Sequence, residues 1–172
     1  MKRFRDRLVS SSVTKSERDI ATELRCAADH VFIGTVEASR SLPIADGTFL
    51  FTEYTVMVTE DIVPGPGLVE GPPQGARVTV LRPGGSIQVG EHTVTAYISD
   101  VPTLVTGASY LFFEKRVGAT GAYRSAHHLG TFSVSNETVK SLESLRVFEG
   151  DLARGTRKDL FVNAVRAVDP CK

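Results

Sequence analysis

Between His30 and Ser39 the chain reads "HVFIGTVEAS", a β-branched and aromatic run with a glycine, Gly34, near its centre. No other feature restricts the fold as much. Val31, Phe32, Ile33, Thr35 and Val36 favour a pleated, extended backbone. A glycine inside such a run weakens a flat strand and marks a bulge or a sharp bend at a barrel corner. The strand is therefore expected to coil hard and to take part in two sheet layers.

The next apolar run, "TFLFTEYTVMVTEDIV" (48–63), is longer than the five or six residues usual for a strand. Leu50, Tyr54, Val56, Val58 and Ile62 share one parity with Thr52 and Glu60, and Phe49, Phe51 and Met57 lie on the other, mixed face with Thr55, Thr59 and Asp61. Long, bent strands suit small closed barrels. Further strands are read in "ARVTVL", in "IQVGEHTVTAYI" as a strand or hairpin about Gly90-Glu91, in "SYLFFEK", and in "GTFSVSNETVKSL" as a last hairpin with Asn136 at its tip. "SRSLPIADG" (39–47), the "RPGGS" turn and "GATGAY" are read as connections. "PGPGLVEGPPQG" (64–75) is a proline- and glycine-rich loop. It offers few apolar groups to bury, and it is expected to be mobile and dispensable for folding.

Helices are expected at both ends. In "SERDIATELRCAAD", Ser16 and Asp19 resemble a capping box, and Ile20, Leu24 and Ala27 or Ala28 fall on one face. In "GTRKDLFVNAVRAV", Thr156 is the expected cap with Asp159 at N3, and Leu160, Phe161, Ala164, Val165 and Val168 form the apolar stripe. Pro170 ends that helix. The reading is mainly β: a flexible tail over 1–15, then one domain over 16–172, an antiparallel OB-like barrel of about six strands flanked by an N-terminal and a C-terminal helix. A β-sandwich is the alternative.

Charge narrows the partners. The chain carries 20 basic and 20 acidic side chains. Residues 26–139 hold six Lys/Arg against eleven Asp/Glu, so the expected barrel is acidic. A nucleic-acid binder needs a basic footprint, which argues against that partner class. No apolar run approaches the length of a membrane span. The basic start "MKRFRDRLVSSSV" is followed by no apolar core of a signal peptide.

"AADHVFIGTVEA", with Ala28, Asp29, Val31, Gly34 and Val36, "RVTVLRPGG" ending in Pro83 to Gly85, and "GASYLFFEK" with Tyr110 to Phe113 come in a telling order. Over roughly residues 20–168 the chain resembles uncharacterised bacterial, mostly exported domains similar to the netrin-like barrel of tissue inhibitors of metalloproteinases. The resemblance implies an OB-type barrel and an exported location (periplasmic, surface or secreted). A cytoplasmic location is the alternative. Netrin-like inhibitor domains are rich in disulfides, whereas this chain has two cysteines. In the metalloproteinase inhibitors an N-terminal cysteine reaches the protease zinc. Cys26 is internal and follows a helix, so no functional residue carries over.

Cys26 and Cys171 stand at the ends of the terminal helices. In an exported protein they could form one disulfide closing a loop of about 145 residues, worth ~4–5 kcal/mol in the chain-entropy model. Otherwise Cys26 is a small buried hydrophobe and Cys171 a free thiol. His30, His92, His127 and His128 show no zinc-ligand spacing, and the last two, adjacent on a strand, would point to opposite faces. Ser86 and Ser109 sit in no nucleophile elbow, and no phosphate loop follows the glycines. Glu53, Glu60, Asp61 and Glu114 could pair across strands but read as solvated strand-face charges, without an acid–base dyad. Of Phe49, Phe51, Tyr54, Tyr97, Tyr110, Phe112, Phe113 and Tyr123, most are expected in the core, although such barrels also bind ligands on exposed aromatics.

The expectation is a binding or interaction domain for a protein or small ligand, with no catalytic, cofactor or metal residues, no cofactor, and an open oligomeric state. The alternatives are an inhibitor-like module presenting 39–47 and 64–75 to a protease, and an enzyme without a recognised motif.

Overall fold

The structure is a computed structural model describing residues 17–44, 46–63, 71–98, 101–126, 130–142 and 155–168. The tail read over 1–15 lies outside them. The described chain is mainly β, with helix α1 (Glu17–Ala27) at one end and α2 (Lys158–Arg166) at the other. Ten strands lie between: β1 (His30–Pro43), β2 (Leu50–Val63), β3 (Arg77–Pro83), β4 (Gly85–Val89), β5 (His92–Ala96), β6 (Ser109–Val117), β7 (Ala122–Ser125), β8 (Thr131–Ser135), β9 (Thr138–Ser141) and β10 (Thr156–Arg157).

Gly34 lies where the register of β1 against β2 slips, between Ile33↔Glu60 and Gly34↔Val58. Its other edge pairs with Tyr110 of β6. A Cβ on Gly34 would run into the Val56 Cγ1 methyl and stand 2.9 Å from the Met57 carbonyl oxygen. The glycine therefore serves a bulge, as its place in the sequence implies, and also lets the two backbones approach closely.

The pairings run β1–β2–β3–β7–β6 and return from β6 to β1. β8, β9 and β10 continue outward from β6. The antiparallel expectation fails at one pair: β3 and β7 are parallel, Val80 facing Tyr123. Five strands paired in a circuit cannot alternate direction all the way round, so one pair must run parallel. β7 was read as part of a flexible turn. It is a short strand entered through the 3-10 turn Gly118–Thr120. Ser39 to Pro43, read as a loop, continue β1 and pair with Tyr54 through Leu50.

Residue parity splits the core in two. Val31 and Ile33 of β1 and Leu111 and Phe113 of β6 pack with Ile20, Leu24, Phe161 and Val165 of the helices. The rings of Phe113, Phe132 and Phe161 meet with centroids 5.3–6.4 Å apart. The alternate residues, Phe32, Val36, Tyr110 and Phe112, pack with Tyr54, Val56, Val80 and Tyr123. The Tyr54 and Tyr110 hydroxyls accept from the Leu104 and Val105 amides at 3.3 and 2.9 Å, which pins the segment before β6.

The C-terminal helix differs from its sequence reading. It begins at Lys158, Arg157 is its N-cap without a side-chain cap, and Thr156 belongs to β10. Thr156 pairs with Val139 and lies one residue before the N-cap position. Phe161, Val162 and Val165 are buried, while Leu160 is 55% exposed. Val162 takes the buried place expected of Leu160, in one cluster with Phe132 and Val139. Residues 64–70 of the proline-rich loop lie outside the described residues. Its descending end is docked: Pro72 is buried, and the Gly75 amide donates to the Val58 carbonyl at 2.8 Å.

Candidate functional site

The carboxylates read as solvated do not behave alike. Glu53 pairs with Arg40 at 3.5 Å on an exposed part of β2. Glu114, in contrast, is wholly buried. It shares the parity of Tyr110 and Phe112 and stands directly opposite His30 in the β1–β6 register. His30 is 2% exposed, and its ring sets an edge against Tyr123 with centroids 5.6 Å apart. Arg82 enters the same core from β3, where its Nη1 donates to Thr131 Oγ1 at 2.7 Å.

Among the described residues neither Glu114 oxygen has a hydrogen-bond partner, nor has His30 Nδ1 or Asp61 Oδ1. Burial pushes the Glu114 carboxyl up to about 8, against the opposing pull of the Arg82 charge. Burial lowers His30 from its ordinary value, with Asp29 and Asp61 opposing. Asp61, half-buried, is raised by desolvation and drawn back by His30. A neutral carboxyl beside a neutral imidazole could exchange protons with a substrate. No solvent reaches Glu114, so no substrate atom comes within hydrogen-bond reach of it.

A groove of about 420 Å³ lies between β2, the β8–β9 tip and α2. Three cations, Arg157, Lys158 and Arg166, line it with three carboxylates, Glu60, Glu137 and Asp159. Glu60 takes Lys158 at 2.8 Å and Arg166 at 3.2 Å, and Arg157 clasps Asp159 at 2.6 Å. With its charges balanced and cross-paired, the groove has no preference for an anion or a cation.

The β4–β5 hairpin is different. It forms a two-stranded sheet of its own. Gly84 (φ 93°) and Gly85 (φ 140°) swing the chain out of β3, with conformations side chains disfavour. A Cβ on Gly85 would collide with Ser41 Oγ and Thr52 Oγ1. Ser41 Oγ also accepts from the Ser86 amide at 3.2 Å, tying the hairpin base to β1. The register Ile87↔Val94 and Val89↔His92 gathers Ile87, Val89, Val94 and Ala96 on one face, with His92 at its margin beside the turn. The other face is polar, with Ser86 bonded to Thr95 at 2.8 Å and Thr93 to Gln88 at 2.9 Å. Among the described residues nothing covers the apolar face, where Val89 is 53% and Val94 48% exposed; Tyr97, just past β5, is 81% exposed.

Of the residues singled out in the sequence, Cys26 is disulfide-bonded and exposed on the last turn of α1. Cys171 and the His127–His128 pair lie outside the described residues. His92 is exposed on β5, whereas His30 is buried. Among the described residues no group of three or more His, Cys, Asp or Glu could hold a metal ion. Ser109 bonds to Thr35 Oγ1 at 2.9 Å and Ser86 to Thr95, both between strands. Tyr54, Tyr110, Phe112, Phe113 and Tyr123 are core residues, and Phe51 and Tyr97 are exposed. Among the described residues no helix is long and apolar enough to cross a membrane. No protein-family model matches the chain, and no curated protein matches its sequence.

Proposed function

We propose that the chain is a non-enzymatic interaction domain, exported, built on a closed OB-like barrel of netrin-like type. The five-strand pairing circuit supports the barrel, together with one core that draws residues from β1, β2, β3, β6 and β7. The disulfide at Cys26 supports an oxidising compartment, since such bonds persist in exported proteins and are rare in the cytosol.

One observation carries the interaction reading: the β4–β5 hairpin leaves a set of large apolar side chains in water, on a short sheet anchored at its base. Clustered apolar exposure of this kind marks a contact surface rather than a packing fault. A photo-crosslinking side chain at Val94 tests it against the same probe at Thr93 on the polar face, in cell-envelope extracts. A discrete adduct from position 94 alone is the expected outcome. Equal labelling from both positions, or turnover by the purified protein in a hydrolase panel, would reject the reading.

A further inference from the structure

We infer that a second copy of the same chain pairs antiparallel along the edge of β5 that no described strand occupies, beside this apolar face. The inference rests on the interaction reading above and names its partner. In an antiparallel pair, successive residues point their N–H and C=O alternately toward and away from the partner strand. Val89 and His92 close the two-residue Gly90-Glu91 turn as a bonded pair. His92, Val94 and Ala96 thus face β4, and Thr93, Thr95 and Tyr97 turn their backbone groups outward. Thr93, Thr95 and Tyr97 are exposed.

Natural edge strands are guarded by lysine, proline, inward charges or a covering element. β5 reads His-Thr-Val-Thr-Ala, with no lysine, proline or carboxylate, and its residues His92 to Thr95 are exposed. Between Gly85 and Ile98 the only charged side chain is Glu91. A two-fold axis through Val94 makes the edge its own complement. Thr93 then opposes Thr95, giving reciprocal backbone bonds, and Val94 opposes Val94. Glu91 falls opposite Tyr97, so the two like charges stay apart. The result is a four-stranded sheet with Ile87, Val89, Val94 and Ala96 of both copies on one apolar face. An isologous interface of this kind closes on itself and does not propagate into fibres.

The test uses the whole chain, with mass measured by light scattering from about 1 to 200 µM. A concentration-dependent shift from 18.6 kDa toward twice that mass is expected. Thr95→Pro removes one outward N–H on each copy while leaving the backbone bonds to β4, and should weaken association about tenfold or more; Thr95→Val, which loses the same Ser86 side-chain bond but keeps the N–H, is the control and should associate as the wild-type chain does. Val94→Cys should form a disulfide-linked dimer under mild oxidation about tenfold faster than Ser135→Cys, an exposed control on β8, because directly opposed non-bonded residues lie about 4.5 Å apart. If Thr95→Pro loses its fold, the crosslinking comparison still decides. A monomer up to 200 µM together with equal crosslinking rates overturns self-pairing. In that case a surviving adduct at position 94 leaves the interaction reading standing with another partner, and no adduct removes both.

Discussion

Glu114→Gln separates two accounts of the buried cluster by its effect on pH dependence. Burial pushes the Glu114 carboxyl up to about 8 in the folded chain, against an ordinary value of 4.5. An acid raised on folding keeps its proton in the native state while the unfolded chain releases it. Between pH 4.5 and 8 the native state therefore binds more protons, and stability falls as pH rises. The full difference corresponds to about 5 kcal/mol as an order of magnitude, at 1.36 kcal/mol per unit. His30 acts in the opposite sense: lowered by burial, it contributes stability that is lost as pH falls below its unfolded value of 6.5. The window from pH 6.5 to 8 isolates Glu114. There the wild-type chain should lose about 2 kcal/mol of unfolding free energy relative to Glu114→Gln, whose profile should be flatter. Urea unfolding followed by far-ultraviolet circular dichroism reads this directly, since the chain has no tryptophan. Parallel profiles would show that the carboxyl does not titrate in that window. A loss of 3–5 kcal/mol for Glu114→Gln at pH 7 would show that it is ionised against Arg82, because breaking a buried ion pair carries a cost of about that size.

Three further outcomes follow from packing and covalent structure. Phe161→Ala, at a wholly buried position between Phe113 and Phe132, should cost about 3–5 kcal/mol in chemical unfolding, whereas Leu160→Ala should stay within about 0.5 kcal/mol. Gly34→Ala should cost about 1–3 kcal/mol, because the new methyl meets Val56 and the Met57 carbonyl, and a neutral result would contradict the close β1–β2 approach. Thiol counting on unreduced, denatured protein should find none free if Cys26 is bonded to Cys171, and reduction should lower the melting temperature; two free thiols would remove the argument for an oxidising compartment.

Parity is what a sequence displays most clearly, and it served well here. It placed Leu50, Tyr54, Val56, Val58 and Ile62 on the buried side of β2, found the β8–β9 hairpin with Asn136 at its turn, and marked the bulge at Gly34. Parity also held the clue to Glu114, which follows Tyr110 and Phe112 at intervals of two. From sequence alone Glu114 reads as a solvated charge, because charged residues on a strand face usually face water. Only register shows otherwise: β1 brings His30 opposite Glu114, and β3 brings Arg82 toward the same core, from positions far apart in the chain.

The hairpin raises the converse difficulty. Residues 87–98 alternate as a half-buried strand pair should, and the sequence alone gives no sign that the apolar side has no partner. What removes the partner is Gly84-Gly85, which directs the chain away from β3 and leaves β7, arriving later, to pair where a fourth meander strand would have gone. The parallel β3–β7 pair and the uncovered hairpin are thus two consequences of one exit from the sheet. The surface proposed for binding exists because the strand circuit is completed without β4 and β5.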